Sequence, residues 1–319
     1  MASAGDSHTG CAKRRAGSVL TMRITPTPDQ PGVPAADPPH GVNGPSHIRL
    51  ANPAQLSPAG PLKPGWGLWQ AAAGLVLVLA LPLGATLALS SVLPFGPELV
   101  FVSLCFTWIA LLGSSLLSSR LWGFGSLARD FGLRFKWIDL AIGVGVGIAA
   151  RIILALVQVT ITLLWPLGEG EVLQGNAGVF LAGDSGWIFV NAILGGALIA
   201  PFLEELFNRG LVLRAVQNAW WLRGSAKGRV SPATPKRSLT TATVVAILVS
   251  SLAFGLLHTG AVGDLRSSVY LLVGTFTVGV ICGVLTVWTG RLGPAIITHM
   301  VFNGSAIGLL LILPPELLT

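Results

Sequence analysis

The chain has 319 residues, 52% of them apolar and only 10% charged, with 20 basic against 13 acidic side chains and a net charge of +7. Soluble domains carry about 25% charged residues. The deficit, with a mean hydropathy of +0.73, excludes a soluble enzyme, a secreted disulfide scaffold and a DNA-binding module, and leaves a polytopic membrane protein.

Residues 1–65 hold 6 of the basic residues, 3 of the acidic ones and 11 of the 21 prolines, with no periodic apolar run. Such a composition buries too little surface to offset the entropy of ordering, so a disordered tail is expected. It is basic at Lys13, Arg14 and Arg15 and carries His8, His40 and His47 among its prolines. No apolar segment follows the basic cluster, so it does not read as a secretory signal. Cys11, Cys105 and Cys282 are scattered, odd in number and form no CxxC, which leaves neither a zinc ribbon nor a disulfide framework.

From Trp66 onward apolar runs alternate with short polar breaks. A spanning helix needs about 20 apolar residues at about 1.5 Å rise each. Runs of that kind cover 68–93, 98–118, 137–165, 187–213, 241–258, 269–289 and 293–313. The predicted fold class is all-α: a transmembrane bundle of seven spans, give or take one. Segment 173–183 is too short for an eighth and suits the interface. A barrel would show alternating ten-residue segments instead. Three regions follow: the tail 1–65, the first transmembrane helices 66–129, and a core over 130–319.

Loop charge sets the orientation. Segment 119–136 carries Arg120, Arg129, Arg134 and Lys136 against Asp130 alone, and 214–240 carries six bases and no acid. Both are expected in the cytoplasm, and the tail with them. The basic excess is thus an orientation signal, and no nucleic-acid partner is expected. Glycines at 143, 145 and 147, at 195 and 196, and at 279 and 283 suit close helix packing, where small residues let backbones approach.

An ionisable side chain in hydrocarbon costs at least a few kcal/mol and needs a reason. The last four spans gather Glu204, Glu205 and Arg209, then Phe254 and His258, then His299 and Asn303. Glu205 and Arg209 are four apart in the favourable order for an ion pair, which would satisfy Glu205. Glu204 lies about 100° around the helix, free to face something else. His299 and Asn303 share a face, and Phe254 sits one turn before His258. One carboxylate, two imidazoles and a carboxamide can activate water, donate to an oxyanion, or hold Zn²⁺ through Glu204, His258 and His299. Arg151 and Gln158 in the third span read as pairing or helix glue, and Asp139 as an interfacial residue without a special role.

Glu204-Glu205-Leu-Phe-Asn-Arg209, Phe254-x-x-x-His258 and His299-x-x-x-Asn303 match EExxxR, FxxxH and HxxxN, in order and in successive apolar segments. Together they resemble the CPBP family of intramembrane proteases, which includes the CAAX prenyl endopeptidases and bacteriocin-processing or immunity relatives. The resemblance covers about residues 130–313 and departs at Asn208, where the family more often has an aromatic or apolar residue. It implies an integral, multi-pass endopeptidase, in the plasma membrane if the host is bacterial, acting on a peptide or protein partner in or at the lipid bilayer. Glu204 and His258 would activate water, His299 and Asn303 would stabilise the oxyanion, and Glu205, Arg209 and Phe254 would support them. The same residues fit a zinc enzyme or a metal-free one; Asn303 suits an oxyanion hole better than a metal ligand, which favours the latter. The alternatives are a catalytically inactive scaffold or immunity protein of the same fold, and a proton-coupled transporter, for which no internal repeat is found.

One expectation conflicts with the rest. If the fifth span starts at the inner face at Thr240, His258 lies about 27 Å along it, whereas His299 lies about 9 Å past Gly293. Tilt, a deep cavity, or a fifth span that begins below the membrane surface would reconcile them.

Overall fold

Each long apolar run satisfies its backbone internally by winding into a helix. The computed structural model describes residues 66–168, 173, 175–226, 236–260 and 262–312, without the side chains of 221–226 and 236–240. The expected tail 1–65 lies outside the described residues. Seven helices are long and apolar enough to cross a membrane: α1 (Leu68–Leu89), α2 (Pro97–Trp122), α3 (Ile138–Leu164), α4 (Ser185–Trp220), α5 (Thr241–Thr259), α6 (Leu265–Thr289) and α7 (Gly293–Ile312). No strand occurs among the described residues. The molecule is an integral, multi-pass membrane protein.

Local chemistry marks the helix ends. Pro97 opens α2, where its missing N–H is harmless. Asp184 caps α4 by accepting from the N–H groups of Gly186 and Trp187 at 2.9 and 3.0 Å. Asp264 caps α6 through Ser267 N–H at 2.7 Å. Gly290 ends α6 at φ 72°, a left-handed conformation that favours glycine.

α4 is central, packed against α2, α5 and α7. Its Leu203, Leu206, Phe207 and Leu211 share one core with Ala71 and Val78 of α1, Ala110 and Leu111 of α2, and Phe131. Pro201 interrupts α4, and having no N–H it cannot bond the carbonyl four residues back. The chain winds as π-helix over Phe189–Ile199 and Leu206–Val212, on either side of the α-helical Ala200–Glu205. π-Winding recurs at functional sites; here it flanks the two glutamates.

α3 packs on α7 through two of the three glycines expected to serve packing. A β-carbon at Gly143 would stand 2.5 Å from Ile297 Cβ, and one at Gly147 2.8 Å from Val301 Cβ, whereas one at Gly145 would meet nothing within 4 Å. Four-residue spacing puts Gly143 and Gly147 on one face and turns Gly145 away. Arg151 acts as the expected glue: it donates from Nε to Ser305 Oγ at 3.1 Å and from Nη2 to the Phe302 carbonyl, and stacks 3.8 Å over the Phe302 ring.

Two sequence expectations change, at Asp139 and in the depth of the two histidines. Asp139 is not a passive interfacial residue: it is fully buried and accepts from Arg291 Nε at 2.9 Å, which ties α3 to the α6–α7 turn. Segment 173–183 packs on protein, with Phe180 and Leu181 of its short helix against Ala192 and Ala197 of α4 and Ile307 of α7. The start of α7 is buried within the protein, where Leu292 and Gly293 N–H groups donate to the carbonyls of Gly132 and Arg134 at 2.9 and 3.2 Å. The helix that carries α5 begins at Lys236. His258 and His299 nonetheless both pack against the Phe254 ring, at 4.6 and 5.4 Å between centroids, so the expected conflict of depth between them does not arise.

Candidate active site

α4, α5 and α7 meet at the middle of the bundle and bring most of the expected residues together. Glu205 and Arg209 form the expected pair, Nη1 to Oε1 at 3.0 Å, with 0% exposure of either side chain. A desolvated carboxylate needs more than one donor, and the second comes from α7: His299 Nδ1 lies 2.9 Å from the same oxygen. A carboxylate only accepts, so Nδ1 carries the proton. The other ring nitrogen, Nε2, faces Glu204 Oε2 at 3.7 Å, within ion-pair range though too long for a hydrogen bond. His299 thus stands between the two adjacent glutamates. Glu204 keeps 18% of its side chain exposed; it is the more accessible of the two carboxylates.

Phe254 joins the groups. Its ring is 1% exposed, with the His258 ring centroid 4.6 Å away, the His299 centroid 5.4 Å away at 89°, and the Arg209 guanidinium carbon 4.7 Å above its face. The two histidines share this ring as a common wall. His258 Nδ1 donates to the Phe254 carbonyl at 2.8 Å, which leaves Nε2 for site chemistry. Among the described residues no hydrogen bond or ion pair links His258 on α5 to Glu204 on α4. Asn303, one turn beyond His299, donates from Nδ2 to the Gly196 carbonyl at 3.0 Å in the π-wound part of α4; the second N–H of that amide stays available.

Sequence reasoning missed several supports. Glu205 reads as satisfied by Arg209 alone, whereas it also orients His299. Asn208 is fully buried; it donates from Nδ2 to the Glu204 carbonyl at 3.0 Å, and its own carbonyl accepts from Ser250 Oγ at 2.8 Å. The departure from the family pattern at Asn208 was visible in the sequence, but its partner on α5 was not.

A zinc site would need the same donors arranged differently. Among the described residues no three His, Cys, Asp or Glu side chains group as a metal ion would need. His299 presents one nitrogen to each glutamate, and His258 binds its own helix backbone. Glu204, His258 and His299 do not form a three-ligand set as arranged.

A buried, charge-paired polar site inside seven apolar helices defines a membrane protein with intramembrane chemistry. Residues 186–305, which span all three motifs, match the family described as type II CAAX prenyl endopeptidase Rce1-like. Over these residues the match supports a CPBP-type intramembrane protease. No curated protein and no solved structure matches the chain.

Proposed function

We propose that the chain is an intramembrane endopeptidase that hydrolyses peptide bonds of membrane-associated, CAAX-type substrates with a water activated by Glu204 and His258. The supporting observation is the placement of His299 between a sealed glutamate and a more accessible one. Glu204 takes a proton from water as the oxygen attacks the scissile carbonyl carbon, and His258 Nε2 shares that task. General-base assistance of this kind contributes about 10²–10⁴-fold. The carbonyl oxygen becomes an oxyanion that accepts from the doubly protonated His299 through Nε2–H and from the second N–H of Asn303 Nδ2. Glu205 holds the imidazole through Nδ1–H, and Arg209 holds Glu205. Collapse of the tetrahedral intermediate returns the proton to the leaving amine and breaks the C–N bond.

The deciding experiment reconstitutes the full chain in liposomes with a prenylated CAAX-type peptide and with an unprenylated copy, and follows cleavage by mass spectrometry. Glu204→Ala and His258→Ala should each abolish cleavage while the protein remains folded. Cleavage that survives both substitutions sinks the protease reading in favour of an inactive scaffold of the same fold. Loop charge further supports a cytoplasmic location for 119–136, 214–240 and the tail, in a bacterial host at the plasma membrane; labelling of Cys11 by an impermeant thiol reagent in intact cells would contradict it.

A further inference from the structure

α6 carries none of the three motifs, yet it touches the site at one point. A β-carbon on Gly279 would stand 3.0 Å from Arg209 Nη2, 2.9 Å from Ser251 Cβ and 3.1 Å from Ser251 Cα. Real β-carbons do not come as close as 2.9 Å to Ser251 Cβ, and at 3.0 Å the Arg209 guanidinium would have to give by a few tenths of an ångström, so any other residue at 279 would crowd it. Arg209 is fully buried and carries five N–H donors. Nη1 faces Glu205, while Nε and Nη2 have no hydrogen-bond partner; nor has the Ser251 hydroxyl, 1% exposed, which borders the same point. A serine hydroxyl rotates freely about χ1 and can accept from a guanidinium beside it. The guanidinium is thus enclosed by Glu205, by the Phe254 face at 4.7 Å, and by Gly279 with Ser251.

We propose that Gly279 and Ser251 are positioning residues that form the seat of Arg209. Through Arg209 and Glu205 they fix the ring of His299, three links away. The activity part of this inference rests on the proposed protease reading; the structural part does not. It makes α6 a functional element through the absence of a side chain, and it assigns one glycine of the pair on α6 a task that the other lacks. The three atoms nearest a β-carbon at Gly283 all belong to Ile247, the first being Cγ2 at 3.0 Å.

The test uses the full chain in nanodiscs with ¹⁵N-labelled histidine, His299 being assigned with His299→Gln. Gly279→Ala should shift the His299 Nδ1 resonance, which reports the hydrogen bond to Glu205, and leave His258 in place. It should lower kcat by about ten- to a hundredfold, as small misplacements of catalytic groups do, with KM within about twofold. Gly283→Ala should change neither. Arg209→Lys lacks the Nη2 branch that the new methyl meets, so adding it to Gly279→Ala should return His299 to the signal of Arg209→Lys alone. A wild-type His299 signal in Gly279→Ala overturns the proposal. Equal shifts in Gly283→Ala also overturn it, because they would mean a general loosening of α5 from α6. A wild-type protein that cleaves no substrate would sink the protease reading, while the resonance arm still decides the seat.

Discussion

The buried pair at Glu205 and Arg209 permits a quantitative test. Both side chains are fully desolvated and their charged atoms are 3.0 Å apart. Removing one partner of such a pair leaves an uncompensated buried charge, which costs about 3–5 kcal/mol. Glu205→Gln retains an oxygen able to accept from His299 Nδ1–H but strands the guanidinium, for which stacking on Phe254 returns at most about 2 kcal/mol. Arg209→Met strands the carboxylate with the imidazole alone. The double variant Glu205→Gln/Arg209→Met has neither charge and keeps an amide oxygen as the acceptor for His299, so it should lie within about 1–2 kcal/mol of wild type. The expected coupling energy is therefore about 3 kcal/mol or more, roughly a hundredfold in equilibrium. Denaturant titration of the full chain in mixed micelles, across the four proteins of the cycle, measures it. A double variant no more stable than the worse single one, or a coupling below about 1 kcal/mol as for exposed pairs, would refute the reasoning.

Other substitutions probe separate parts of the molecule. Gly147→Ala forces a methyl to 2.8 Å from Val301 Cβ and 2.9 Å from the Thr298 carbonyl, and should destabilise by about 1–3 kcal/mol in the same titration. Gly145→Ala meets nothing within 4 Å and should be neutral or up to about 1 kcal/mol stabilising. Asn303→Ala should lower kcat by about 10²–10³-fold with KM little changed, the mark of a lost oxyanion donor, in steady-state cleavage assays. At the α5–α6 turn, the Ser267 N–H bonded to its carboxylate holds Asp264 below the ordinary carboxylate value. Its capping contribution is complete above about pH 4 and is lost as pH falls through the lowered folded value; Asp264→Asn should abolish that dependence in the amide protection of the first turn of α6.

The seven spans were legible because length and apolarity alone select a membrane helix, and Glu205–Arg209 was legible because both ends lie on one helix. What was hidden required a partner from another element. The Asp139–Arg291 tie joins residues 152 positions apart, and the role of Glu205 toward His299 spans 94; spacing along a helix cannot report either. The depth estimate failed for a related reason. It measured each histidine from the end of its own upright span, whereas the Phe254 ring on α5 packs against both His258 and His299 of α7. The three-glycine run in α3 shows the opposite case: its four-residue spacing alone separates Gly143 and Gly147 from Gly145 by helix face.

Two neighbouring glutamates divide the work because successive helix positions point about 100° apart. Glu205 turns inward to a guanidinium and an imidazole, with no exposed surface, and can neither meet water nor change partners without stranding Arg209. Glu204 turns toward the accessible side, where its nearest charged group is the far nitrogen of the same imidazole. In the proposed mechanism the first fixes His299 and the second takes a proton from water. Exchanging them would place the proton acceptor where no water reaches, so the order of the pair, and not merely its presence, follows from the packing of α4 between α5 and α7.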